Sequence, residues 1–226
     1  APAVIVMPQT APKVKVEGAR SYGAEVIFEG TTSAERKQRA EIEAAQRGLT
    51  MVPPFDHEWI IAGQGTAGLE ILEQVPGVRT VYVQIGGGGL IAGVSAALKL
   101  SRPDIRIIGV EPAGAPKMKS SIDAGHPVVL ERTSSIADGL LPVRPGDLTF
   151  AHVKAFVDDI VIVEDVAISA AVRWLFRYAK IVAEPSGAIT VAAVTQGGAP
   201  RDDGATVAVI SGGNVATEDF ARYITQ

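Results

Sequence analysis

Thr80-Val-Tyr-Val-Gln-Ile-Gly-Gly-Gly-Gly-Leu-Ile-Ala-Gly93 is the stretch that decides how this chain is read. Its apolar, β-branched opening is a buried strand by length and composition. Four glycines follow, and they let the backbone wrap closely with φ of either sign. Small residues at helical spacing then run from Leu90 to about Leu100. Such a helix directs its free N–H groups and the positive end of its dipole back at the glycines. The combination is a phosphate cup. The plainer alternative is a glycine-rich turn that holds no ligand. Nothing in the stretch matches G-x-x-x-x-G-K-[ST], and no G-x-G-x-x-G register fits Gly86 to Gly93, so it is neither a P-loop nor a dinucleotide fingerprint.

Outward from the cup the pattern is strand and helix in alternation. Residues 3–7, 25–28 and 49–52 read as short strands separated by helices at 12–23 and 34–46, one parallel-sheet unit. Pro53-Pro54 breaks the pattern and marks a domain crossing. Asp56 is placed to cap a helix, and helical patterns cover 57–62 and 66–74. Beyond the cup, strands are expected at 105–110, 159–163 and 206–210, with helices between them and after the last. The strand at 206–210 leads into Ser211-Gly-Gly-Asn214, a second glycine-rich junction. Both junctions lie at carboxyl ends of strands, the edge where open α/β sheets bind ligands.

With 226 residues the chain can form one large domain, or one domain and part of another. A net charge of −4 offers no basic footprint for nucleic acid. The absence of cysteine excludes disulfides, thiolate metal sites and a cysteine nucleophile. No apolar run has the length of a membrane span. Ala1 to Met7 lacks the basic start of a signal peptide and reads as a strand; opening there without an initiator Met, the chain is expected to continue a longer protein.

Individual polar residues admit two readings each. Ser211 either turns its hydroxyl into the site or bonds its own backbone, and Asn214 makes backbone bonds or caps a turn. Glu184 precedes Pro185 at a helix start, where the dipole favours a carboxylate with or without a ligand. His57, His126 and His152 show no ligand spacing. Asp56 and His57 have no G-x-S-x-G partner for a triad. Glu111, just beyond the strand after the cup, stands near where a ribose-binding acid would sit, which keeps a nucleotide-binding module open as a different class of function.

Val6-Met-Pro8, Tyr22-Gly-Ala-Glu25, Pro54-Phe-Asp56, Ala62-Gly-Gln-Gly-Thr66, Gly86-Gly-Gly-Gly-Leu90, Val110-Glu-Pro112, Ala137-Asp-Gly139, Val182-Ala-Glu-Pro185 and Ile210-Ser-Gly-Gly-Asn214 together resemble the threonine/serine dehydratases. These are fold-type-II pyridoxal-phosphate enzymes, a group that includes serine racemases. The likeness runs in order through essentially the whole chain. It implies an α/β fold of open parallel sheets flanked by helices, as in the tryptophan synthase β-like enzymes. It also implies pyridoxal 5'-phosphate as cofactor, a small amino acid as substrate, and a cytoplasmic homodimer or homotetramer with neither membrane nor nucleic acid as partner. Carried over by position, Gly86, Gly87, Gly88, Gly89 and Leu90 hold the cofactor phosphate. Ser211, with Gly212 and Asn214 in its turn, faces the pyridine nitrogen, and Gly139 and Glu184 lie beside the ring. The reaction implied is loss of water from L-threonine or L-serine, serving isoleucine synthesis or threonine breakdown. Serine racemization and hydroxyaspartate dehydration are the alternatives within the family.

The departure from the family is large. Its Schiff-base lysine stands in an S-F-K-x-R-G-A segment, followed by an S-x-G-N loop, and neither occurs here. None of Lys13, Lys15, Lys37, Lys99, Lys117, Lys119, Lys154 and Lys180 has that context, so no catalytic residue is assigned. The expectation is that residues 1–52 are the latter half of a small domain and 53–226 most of a large one, truncated at the N-terminus and inactive alone. A non-catalytic fragment is then the rival to an enzyme. The resemblance also implies, for several members, a divalent cation held by the glutamate of the E-P turn, a carbonyl four residues on and an acid six residues on. Those positions are Glu111, Ala115 and Lys117, and an ammonium in the third forbids metal; Lys117 is expected to pair with Glu111 instead.

Overall fold

A computed structural model describes residues 2–31, 33–197 and 204–225. The chain divides into two compact units, one of residues 1–52 with 214–219, the other of 53–213 with 220–226.

In the smaller unit, β1 (Val4–Met7) and β2 (Glu25–Phe28) pair in parallel, Val4 opposite Glu25. Parallel neighbours need a crossover, supplied by α1 (Lys13–Ser21); α2 (Ser33–Arg47) follows β2. The strand expected at 49–52 does not form. Val52 is exposed, and the run ends at Pro53-Pro54, which supply no N–H to a ladder.

The larger unit is built on a four-stranded parallel sheet of order β5-β4-β3-β6, with β3 at Val78–Gln84, β4 at Arg106–Pro112, β5 at Asp159–Val163 and β6 at Ala205–Ala208. β3 and β4 are covered on both faces, which is why they read as near-continuous apolar runs. Successive side chains point to opposite faces. Tyr82 therefore joins one core with Ile108, Ile168, Val172 and Ile189, while Val81 and Val83 join the other with Ile91, Val94, Met118 and Phe150.

The helices of this unit are α3 (Glu58–Gln74), α4 (Gly89–Ser101), α5 (Lys117–Ala124), α6 (Asp147–Phe156), α7 (Asp165–Trp174), α8 (Pro185–Gly197) and α9 (Thr217–Thr225), the last beginning in the smaller unit. A π-turn at Leu175–Ala179 extends α7. Among the described residues no helix is long and apolar enough to cross a membrane.

Two local expectations change. α3 is one helix rather than two, because Gly63 and Gly65 stay helical. Its N-cap is His57, whose Nδ1 accepts from Trp59 N at 3.2 Å. Asp56 caps a different helix: its carboxylate accepts from Asp147 N, Leu148 N and Thr149 N at 3.0, 3.0 and 3.1 Å, which sets the start of α6 at Asp147. Asp56→Ala is expected to cost about 1–2 kcal/mol, the range for a lost cap, while Asp56→Asn keeps most of it. Thermal melts of the two variants check this. Equal melting temperatures would mean that the carboxylate does not hold α6.

Candidate active site

β3 carries the chain to the carboxyl edge of the sheet, and the tetraglycine turns there into α4. Gly88 is the N-cap with φ 102°, a left-handed conformation suited to glycine. A side chain on it would start 2.8 Å from Thr149 Cβ. The Gly87 carbonyl is taken by Thr149 Oγ1 at 2.7 Å and by Gly146 N at 3.3 Å. Among the described residues, the N–H groups of Gly86, Gly87, Gly88, Gly89 and Leu90 donate to no acceptor outside α4. Gly87, Gly88 and Gly89 are buried. Buried N–H groups without partners are costly, and at a helix N-terminus an anion is the partner that satisfies several at once.

The other predicted residues are joined to the cup by a closed circuit of contacts. A Cβ on Gly86 would lie 3.1 Å from Gly139 O. Gly139 N donates to Ser186 Oγ at 2.9 Å, and Ser186 stands in the first turn of α8, two residues past Glu184. Glu184 N donates to Gly212 O at 3.1 Å, and a Cβ on Gly212, with φ 120°, would start 2.7 Å from Glu184 Oε1. The circuit closes where Gln84, the last residue of β3, donates its side-chain amide to Ser211 Oγ. Asn214 falls with the smaller unit. Asp138 and Gly139 are exposed on a short 3-10 turn (Asp138–Leu140) pinned by buried Ala137 and Leu140.

Two neighbours of the site were not legible in the sequence. Gln84 is buried, and its Oε1 has no hydrogen-bond partner among the described residues. The signal was a lone amide at the end of an apolar strand. Phe55 packs its ring on Gly87, where a Cβ would start 2.3 Å from Phe55 Cδ1, and its own Cβ lies 3.0 Å from that of a side chain on Gly89. Nothing local distinguishes that phenylalanine from a core residue. Glu111, a candidate ribose ligand by its position in the sequence, is fully buried and ion-paired with Lys117, so it is closed to a ribose.

A helix start with unpaired N–H groups, at the carboxyl edge of an open parallel sheet and beside a second glycine-rich strand end, is the arrangement of an α/β domain suited to a phosphorylated ligand. The orphaned amides and the unpartnered Gln84 Oε1 fit a ligand with an anionic end and a polar ring. Residues 1–212 match the family described as "Pyridoxal-phosphate dependent enzyme", and the chain belongs to it. It is 42% identical over 225 residues to the L-threonine ammonia-lyase of Thermotoga maritima, covering 100% of this chain and 56% of that one. The maize serine racemase structure superposes with a TM-score of 0.91 at 38% identity, covering 98% of this chain and 68% of that one. The processed threonine deaminase isoform 2 of Solanum lycopersicum gives a TM-score of 0.88 at 36% identity, covering 98% and 65%. The fold is that of the fold-type-II enzymes, as the resemblance implied. The chain spans about half the length of the curated relatives it matches.

Proposed function

We propose that the 53–213 unit holds pyridoxal 5'-phosphate, and that the protein to which this chain belongs removes water from L-threonine or L-serine, releasing 2-oxobutanoate or pyruvate with ammonia. The observation that carries this reading is the closed circuit that gathers Gly139, Glu184 and Ser211 around one end of the glycine cup. The likeness to the Thermotoga maritima ammonia-lyase supports the reaction class.

Each residue then has a role. The N–H groups of Gly86–Leu90 bind the phosphate dianion by charge-assisted bonds at a helix start. When bound, the cofactor supplies an electron sink for the bond broken at the α-carbon. Gln84 donates to Ser211 Oγ, which leaves the hydroxyl proton of Ser211 to be donated to the pyridine nitrogen. A neutral hydroxyl there holds less charge on the ring than a carboxylate would, and so favours loss of a β-hydroxyl over transamination. Gly139 and Glu184 would lie beside the ring, and Gly212 leaves the room that the Glu184 carboxylate needs. No lysine of the chain is assigned as base.

The test has two arms. In equilibrium dialysis, residues 1–226 are expected to retain pyridoxal 5'-phosphate, with inorganic phosphate as a competitor and without forming 2-oxobutanoate. The same chain extended at its N-terminus by a relative's segment that carries both S-F-K-x-R-G-A and S-x-G-N is expected to form 2-oxobutanoate from L-threonine. Failure to retain cofactor would favour a non-catalytic fragment, and turnover by residues 1–226 alone would mean that another lysine serves. A racemase reading is supported by the maize neighbour, and chiral analysis of serine separates it from dehydration.

A further inference from the structure

Lys117 stands in the first turn of α5, yet its side chain is completely buried. Its Nζ donates to Ile85 O at 2.8 Å, Leu140 O at 3.1 Å and Ala115 O at 3.2 Å, and lies 3.0 Å from Glu111 Oε1. These oxygens come from four segments: the residue before the glycine cup, the end of the Asp138–Leu140 turn, the loop after β4, and β4 itself. The Glu111 carboxylate is held in turn by Met118 N at 2.9 Å and Lys119 N at 2.8 Å.

One carboxylate and three carbonyls converging on a point are the ligands that a hard cation takes. Here the cation belongs to the chain. Burial pulls the ammonium's pKa below its ordinary value, and Glu111 opposes that pull. The oxygen shell settles the charge, because a deprotonated amine would turn a lone pair toward acceptors. The divalent ion that the family resemblance implied at Glu111, Ala115 and the residue in position 117 does not fit, since Nζ already occupies the centre of those oxygens.

We infer that Lys117 is a built-in cation, a positioning residue that ties the strand end under the glycine cup to the turn carrying Gly139 and so assembles the cofactor site without a divalent metal. The inference rests on the proposed assignment of the cup and of Gly139 to the cofactor. Two of the four oxygens, Ile85 O and Leu140 O, each adjoin a residue of that site. A neutral side chain at 117 would leave the Glu111 carboxylate facing three carbonyl oxygens, so the cup and the turn would separate.

The experiment pairs thermal melts with dialysis against pyridoxal 5'-phosphate. Wild-type melts in EDTA, millimolar magnesium and millimolar calcium are expected to coincide. Lys117→Asp, which restores a third oxygen ligand, is expected to be destabilised in EDTA and to gain several degrees with calcium or magnesium. Lys117→Met is expected to weaken retention of the cofactor at least about tenfold, without recovery by either ion. A cation-dependent shift of several degrees in the wild type would overturn the inference. So would a Lys117→Asp variant indifferent to cations, or a folded Lys117→Met variant that retains cofactor like the wild type. If Lys117→Met does not fold, the wild-type and Lys117→Asp melts decide. Those melts use no cofactor, so a wild type that retains none would count against the proposed function, while the role of Lys117 as a built-in cation would still stand or fall by the melts.

Discussion

If the glycine cup holds the cofactor phosphate as proposed, Gly87→Asp is expected to abolish retention of pyridoxal 5'-phosphate, and Gly87→Ala to weaken it less. Two effects combine in the aspartate. Its Cβ would start 2.3 to 2.4 Å from three ring atoms of Phe55, so the ring or the glycine loop must move. The ring has little freedom to yield, because the Cα and Cβ of the same phenylalanine crowd Gly89, at 3.1 and 3.0 Å from a side chain there. The carboxylate would also face the phosphate dianion among donors that suit an anion. Like charges brought together at a binding site cost several kcal/mol, which corresponds to roughly a hundredfold or more in affinity. Alanine carries the steric part without the charge, so the two variants divide the loss. Wild-type affinity in Gly87→Asp would show that the phosphate is held elsewhere.

Gly93→Ala destabilises the larger unit by about 3 kcal/mol or more, at the top of the range for overpacking because the clash is with backbone. A Cβ on Gly93 would lie 2.2 Å from Ile61 O, 2.5 Å from Gly65 N and 2.8 Å from the Gln64 carbonyl carbon. α3 and α4 touch main chain to main chain at this point. Gly68 reinforces the contact from the other side, where a Cβ would start 2.9 Å from Val94 O. A loss of that size lowers the melting temperature by about 6–12 °C in a chain of this length. Gly63→Ala, in the same helix α3, is the control. Nothing lies within 4 Å of its Cβ, and alanine is the better helix former by about 1 kcal/mol, so its melting temperature should hold or rise. If both variants fell equally, helix propensity rather than close packing would govern the site. Because α4 begins at the cup, Gly93→Ala should also loosen cofactor retention.

The parallel α/β plan was legible because β3 and β4 are buried on both faces and so carry uninterrupted apolar runs, which no exposed element tolerates. The cup was legible for a related reason. Four adjacent glycines between a strand and a helix solve a local backbone problem, and local problems leave local marks. The pairing of Lys117 with Glu111 was expected from the family resemblance, which sets those positions around one cation, and the structure has that pair at 3.0 Å.

Other features were decided by contacts between residues far apart in the chain. Asp56 looks like the cap of the helix that follows it, but His57 caps that helix, and the carboxylate reaches donors some ninety positions downstream. Gly63 and Gly65 looked like a break, yet the helix runs through them; Gly65 lies against Gly93 of a neighbouring helix, which sequence spacing does not reveal. The run at 49–52 had the composition of a strand but no partner, and a strand exists only where a second backbone completes its hydrogen bonds. Gln84 meets Ser211 across 127 positions. Residue types and short spacings therefore determined the layers, the cup and the family. Which side chains close the site was decided by the fold, because each closing contact is a distance between segments whose separation only the packed sheet defines.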